Sequence, residues 1–274
     1  MNYELAIENI RSELREYIIK GNLQSLVLGV SGGIDSTLCA LLAKPVCDEL
    51  NIPLIGRSLP TRTNSSGENL RAKKIGLMFC SDFKETAIQS AFNKMADVSE
   101  ANYNVIIEAT DHKYNILAGN IKARIRMILL YDLAGTNDGL VLSTDNWTEY
   151  LLGFWTLHGD VGDYGMIQSL WKTEVYEMTL WIMAHELATL PEMEAVEEVI
   201  EANATDGLGI PNSDLDQIIP GWEGNSRDGY AEVDERLKNI TDGGVTNLSD
   251  PVYSRYIRTM FKRENPFNIP RNKI

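Results

Sequence analysis

The sequence predicts an α/β protein: a doubly wound parallel sheet covered by helices on both faces. Short apolar runs of strand length alternate with longer stretches of helical period, and polar or glycine-rich turns separate them. No internal repeat breaks the alternation.

The elements follow in order. Residues 3–20 set Ile7, Ile10, Leu14 and Tyr17 or Ile18 at helical spacing, and Gly21 is a stop signal. Leu26-Val27-Leu28-Gly29-Val30 reads as a short buried strand, followed by a glycine-rich turn and a helix beginning near Ser36. Residues 52–59 form a second strand in this reading, and residues 68–78 a helix. Residues 120–134 are a stronger helix, with Ile121, Ile125 and Ile128 on one stripe. After the turn Asn137-Asp138-Gly139, residues 140–144 make another buried strand. A long helix over about 173–187 ends ahead of Pro191. Residues 62–68 and 203–229 read as loops, the second as a mobile surface stretch. Ligands of open parallel sheets bind at the carboxyl ends of strands, so both loops are candidate lids by position.

Composition sets the bounds. A chain of 274 residues with 44% hydrophobic residues buries a full core and fits one to two domains. No apolar run reaches the ~20 residues of a membrane span, and the N-terminus lacks the order of a signal peptide. Three cysteines without a CxxC pair fit reduced, core thiols and a cytoplasmic protein. The net charge of −14 argues against a nucleic-acid face, which needs clustered Lys and Arg. A local basic pocket for a small anion remains compatible with it.

The chemistry concentrates in Ser31-Gly32-Gly33-Ile34-Asp35-Ser36, at a strand-to-helix junction. Gly32 and Gly33 allow a tight turn whose N–H groups approach an anion, and the following helix adds its positive end. Ser31 and Ser36 offer hydroxyl donors, and Asp35 suits a magnesium ion held against phosphates. A bare SGG would be only a flexible turn; the full hexapeptide at this junction points to nucleotide. There is no Walker motif anywhere in the chain. In the segment 119–127, Lys122 and Arg126 share one helix face while Arg124 lies about 200° away; alone, this would read as a solvated basic helix. Glu149 follows a buried strand end and is positioned to converge with Asp35 on a metal. The histidines have no metal-ligand spacing, and no Cys–His or Ser–His nucleophile arrangement is recognisable.

The hexapeptide resembles the PP-loop of N-type ATP pyrophosphatases. Gly119-Asn120-Ile121-Lys122-Ala123-Arg124-Ile125-Arg126-Met127 resembles the GNxKARxRM segment of ammonia-dependent NAD synthetases, and Ser143-Thr144-Asp145 through Glu149, Gly153-Phe154 and Gly159-Asp160 resembles their GTDxxxE…GFxTKYGDG run. The resemblance covers most of residues 20–270. It implies an adenine nucleotide alpha hydrolase-like fold in a single domain over 1–274, with a helical N-terminus (1–21) and a loop-rich C-terminal segment (about 200–274). It implies ATP contacts from Gly29, Ser31, Gly32, Gly33, Asp35, Ser36, Thr144, Lys172 and Thr205, of which Asp35 and Lys172 are catalytic. Asp35 and Glu149 would hold Mg2+, and Arg124, Asp163 and Lys262 would contact the dinucleotide. The implied reaction adenylates the carboxylate of nicotinic acid adenine dinucleotide (deamido-NAD) with ATP, releasing pyrophosphate; ammonia then displaces AMP to give NAD. Only about twenty residues precede the first strand, so no amidase domain is expected ahead of it. A homodimer follows from the family alone.

Two departures stand out. The family's substrate-contacting lysine in TKYGD is Leu157 here, and the histidine of the terminal HKR motif is Phe261. They keep open an alternative: a PP-loop ligase or amidotransferase acting on another carboxylate or carbonyl. A tRNA-modifying PP-loop enzyme would add basic segments and often paired cysteines, and a non-catalytic nucleotide binder would lose Asp35 or Glu149. Neither pattern is present.

Overall fold

Alternate residues of the first strand, β1 (Ser25–Gly29), enter different cores: Leu26 and Leu28 one, Val27 the other. A strand buried on both faces is the pattern of a parallel sheet, and the computed structural model bears it out. It describes residues 1–103, 108, 112–205, 213–244, 247–264 and 266–273. Strands β2 (Leu54–Ser58), β3 (Asp82–Glu85), β4 (Gly139–Ser143) and β5 (Tyr164–Gly165) join β1 in the order β3-β2-β1-β4-β5. Every pairing is parallel. The chain builds outward from β1 through β2 to β3, then returns to the other side of β1 with β4. The order reverses between β1 and β4, which opens a crevice at their carboxyl ends.

Helices α1 (Tyr3–Gly21), α2 (Ile34–Leu50), α3 (Ser66–Phe79), α7 (Lys172–His185) and α8 (Leu190–Ile200) pack on one face over Leu26, Leu28, Leu54 and Leu140. On the other face, Met127, Leu130 and Ala134 of α5 (His112–Thr136) cover Val27, Ile55 and Val141, and α4 (Gln89–Glu100) lies against α5. A third apolar cluster joins α6 (Trp147–Leu152), α9 (Asp214–Ile218), α10 (Ser226–Thr241) and α11 (Pro251–Arg258). The short α12 (Met260–Arg263) follows.

The structure departs from the sequence reading in several places. Strand β3, four residues at the sheet edge, and helix α4, which buries only Ala96, are not among the elements expected from the sequence. The loop expected over 62–68 ends at Ser65: its hydroxyl accepts the Glu68 N–H while the Glu68 carboxylate takes the Ser65 N–H, a capping box that starts α3 at Ser66. Among its described residues the C-terminal segment combines loops with helices. It holds α9 to α12, because Leu215, Ile218, Tyr230, Val233 and Leu237 bury an apolar stripe against Leu151 and Leu152. Residues 206–212 of the expected mobile stretch lie outside the described residues.

Helix α2 contains Pro45, which has no N–H for the Leu41 carbonyl. The side chain of Arg11 supplies the missing donor, with Nη2 at 3.1 Å from that oxygen. Arg11 is itself held by a two-pronged pair to Glu186.

Candidate active site

The loop after β1 is fixed by its own side chains. Ser31 Oγ lies 3.0 Å from Ser36 Oγ and accepts the Gly33 N–H at 3.1 Å. Gly32 has a φ of +80°, and a Cβ there would stand 2.5 Å from the Glu68 carbonyl oxygen and 2.7 Å from the Ala72 nitrogen. Only glycine meets both conditions, so the loop packs directly on the backbone of α3. Arg71 of α3 fastens it further, donating from Nε to the Gly32 carbonyl at 3.1 Å.

Across the crevice, Asn146 caps α6. Its Oδ1 accepts the Glu149 N–H at 3.0 Å, and its Nδ2 donates to Asp35 Oδ1 at 2.8 Å. One buried residue therefore meets both carboxylates: its side-chain amide donates to Asp35, and its backbone N–H reaches Glu149 Oε2 at 3.4 Å. Lys172, at the start of α7, completes the group: Nζ donates to Asp35 Oδ2 at 2.5 Å and to Glu149 Oε1 at 2.9 Å. Its side chain is only 2% exposed, with the Tyr230 ring 5.1 Å from Nζ. Burial opposes the ammonium charge, but Asp35 and Glu149 outweigh it and hold the Lys172 pKa well above the usual value. Glu149 is pushed up to about 7, by burial first; Lys172 pulls it down, and Asp35 and Asp145 push it up. Two more carboxyls, Asp145 and Asp160, are each raised by burial to about 7.

These groups line one cavity of about 290 Å³ at the carboxyl ends of β1, β2 and β4. Gly29, Ser31, Gly32, Gly33, Asp35, Ser36, Thr144, Glu149, Lys172 and Thr205 all face it. Thr205 donates its hydroxyl to the Glu68 carboxylate, joining the segment after α8 to the start of α3. Val30, Leu59, Met127 and Leu130 give the same cavity an apolar side. A cavity that combines an apolar wall with a glycine loop at a helix N-terminus suits a nucleotide.

Among the described residues no group of three or more His, Cys, Asp and Glu side chains is placed to hold a metal, so a cation at this site would have two protein carboxylates at most. Asp35 and Glu149 converge on a single point, now taken by the Lys172 ammonium. Two carboxylates leave the remaining positions of a hard, six-coordinate cation to phosphate oxygens and water, as magnesium prefers.

The family model described as NAD synthase matches residues 6–266. The chain belongs to the NAD synthase family. It is 31% identical to the NH(3)-dependent NAD(+) synthetase of Thermoplasma acidophilum, over 98% of this chain and 97% of that one. Against the NH(3)-dependent NAD(+) synthetase of Thermococcus sibiricus the identity is 30%, over 100% and 90%. Among solved structures, NMN synthetase from Francisella tularensis shares the fold with a TM-score of 0.77 at 21% identity, covering 99% of each chain.

The three residues expected at the dinucleotide do not line the cavity that gathers the residues expected at ATP. Arg124 projects away from Lys122 and Arg126, as the helix angle requires, and donates to the Leu157 carbonyl at 3.2 Å. Thus the position of the family's lysine is occupied by a half-buried leucine whose backbone anchors Arg124. Lys262 donates to the carbonyls of Gly153, at 2.7 Å, and Trp155, and faces a separate recess of about 150 Å³. Burial and Arg255 lower its pKa to about 8, against the pull of Asp160. Asp163 is exposed and accepts the Val141 N–H at 2.9 Å.

Sequence reasoning assigned no role to Asn146, Arg126 or Asp145, although all three belong to the site. Arg126 donates to the Leu59 carbonyl and to Asn64 Oδ1, tying α5 to the loop at the cavity edge. For Asn146 a signal existed: Asn-x-x-Glu directly after a strand is a capping-box pattern.

Proposed function

We propose that this protein amidates deamido-NAD in two steps, using ATP and ammonia and releasing NAD, AMP and pyrophosphate. The observation that carries the reading is the Lys172 ammonium bridging Asp35 and Glu149 beside the Ser31–Ser36 loop, in a chain that matches NH(3)-dependent synthetases along nearly its whole length. In the first step a carboxylate oxygen of the acceptor attacks the α-phosphorus of ATP, and the bond to the bridging oxygen breaks with release of pyrophosphate. The Ser31 and Ser36 hydroxyls and the N-terminus of α2 receive the phosphates, and Lys172 holds positive charge next to them. In the second step the ammonia lone pair attacks the adenylated carbonyl, AMP leaves with the bonding pair, and one proton is released. Magnesium held by Asp35 and Glu149 would neutralise phosphate charge. No protein nucleophile is required; the residues position and neutralise.

Arg124, Asp163 and Lys262 are proposed for the dinucleotide, and the 274 residues for one synthetase unit. The same reading includes a cytoplasmic homodimer, which sedimentation would check. No described helix is long and apolar enough to cross a membrane.

The test is stoichiometry. Purified protein with deamido-NAD, ATP, magnesium and ammonium should yield NAD, AMP and pyrophosphate in equal amounts. Release of ADP and phosphate would overturn the reading. Nicotinic acid mononucleotide serves as a parallel acceptor, and product from it alone would replace the dinucleotide as substrate.

A further inference from the structure

Helix α10 touches the site through one carboxylate. Asp234 is 1% exposed. Its Oδ1 accepts the Thr148 hydroxyl at 2.5 Å and its Oδ2 accepts the backbone N–H of Thr173 at 2.9 Å. Thr148 Oγ1 in turn accepts the backbone N–H of Lys172 at 2.9 Å.

The first N–H groups of a helix have no partner within it. In α7 two of them, on Lys172 and Thr173, are satisfied by Thr148 and Asp234. Trp171, at the N-cap, has no side-chain oxygen to do so. Thr148 immediately precedes Glu149, so the junction joins α6 to α7 at the two residues whose side chains meet at 2.9 Å. The same α10 supplies Tyr230, whose ring faces the Lys172 ammonium.

We infer that Asp234 is a positioning residue for the Lys172–Glu149 pair, acting through Thr148. This rests on the reading of Lys172, Asp35 and Glu149 as the ATP site. The chemistry asks for a carboxylate: Asp234 accepts the Thr148 hydroxyl on one oxygen and the Thr173 N–H on the other, and the Thr173 side chain is a further donor to it. An asparagine amide has one oxygen and turns an NH2 toward the other donor. If the NH2 faces Thr173, two donors oppose each other. If it faces Thr148, the hydroxyl must turn its proton away, although its oxygen already accepts from Lys172.

The experiment compares Asp234→Asn, Thr148→Val, their double variant and Thr148→Ser, with exposed Glu235→Gln on the same helix as control. Three quantities are measured: Tm, ATP affinity by calorimetry, and kcat and KM for ATP in pyrophosphate release. Both single variants should lose about ten- to hundredfold in kcat, the equivalent of one hydrogen bond to a charged group, with KM for ATP unchanged. Thr148→Ser, which keeps the hydroxyl, should restore kcat, and the double variant should fall no lower than the worse single one. Unchanged kcat in folded variants, losses that multiply, or a shift in Tm alone would overturn the inference. If Asp234→Asn does not fold, Thr148→Val carries the test. If the unaltered protein releases no pyrophosphate with deamido-NAD, the functional reading fails instead. The inference is then decided by the Tm cycle, in which additive single effects would overturn it.

Discussion

Lys172 keeps its charge although only 2% of its side chain reaches solvent, because two carboxylates surround it. Removing one partner of a buried ion group is far costlier than the group is worth intact, since the remaining charges lose their counter-ion. Lys172→Met should therefore lower stability by about 3–5 kcal/mol at pH 8, read by denaturant unfolding. A change near zero would mean that Asp35 and Glu149 are solvated. Asp145 shares the pH dependence with Glu149 and Asp160. Burial, then Asp160, raises its pKa to about 7, against the Ser143 hydroxyl that lowers it. An acid whose folded pKa stands above its unfolded value holds its proton longer in the native state. Its stability contribution is full at low pH and is lost as pH rises from the ordinary carboxylate range through about 7. Asparagine does not ionise, so the Tm of Asp145→Asn should gain on the unaltered protein as pH rises from the ordinary carboxylate range to about 7, and the difference should level off above that. A difference that stays flat over this range would show that Asp145 ionises normally in the folded protein.

Helices here are completed by side chains from elsewhere in the chain. The break that Pro45 makes in α2 is closed by Arg11 of α1, which also reaches Glu186 just after α7. One guanidinium thus ties three helices on the same face of the sheet. Arg11→Met keeps much of the packing but leaves the Leu41 carbonyl without its donor, a loss of about 1–3 kcal/mol. Unfolding of this variant beside Pro45→Ala/Arg11→Met separates the two effects. The alanine restores the backbone N–H, and the double variant should recover part of the loss. No recovery would assign the cost of Arg11→Met to the Glu186 pair. Helix α6 shows the same principle at the site: its cap, Asn146, is also the ligand that orients Asp35. A local capping signal in the sequence therefore has a consequence at the cavity, the placing of Asp35, that the sequence does not display.

Strand order decides where the molecule can work. The chain leaves β1 toward β2 and β3, returns to β4, and so concentrates its glycine loop, Thr144 and Glu149 at one crevice. The match to NH(3)-dependent relatives spans 98% of this chain and 97% of the Thermoplasma acidophilum protein. Ammonium should accordingly support product formation, and glutamine at neutral pH almost none. Robust glutamine use by a preparation free of amidase would reveal a glutaminase site that the present reading does not contain.

The sequence by itself determined the fold class and which residues of the glycine loop line the cavity. Both are written in short-range patterns: apolar runs buried on two faces, and a hexapeptide whose glycine, hydroxyl and carboxyl groups act within one turn. It also determined that Arg124 faces away from Lys122 and Arg126, because helix geometry allows nothing else. Only the tertiary structure decided how distant residues meet. Arg11 finds Leu41, Asn146 finds Asp35, and Asp234 finds Thr148 and Thr173, across separations that no local period encodes. The helices after residue 213 were hidden for the same reason. Their glycines, prolines and acids read locally as loop, and the segment becomes helical only where α6 offers an apolar surface to cover.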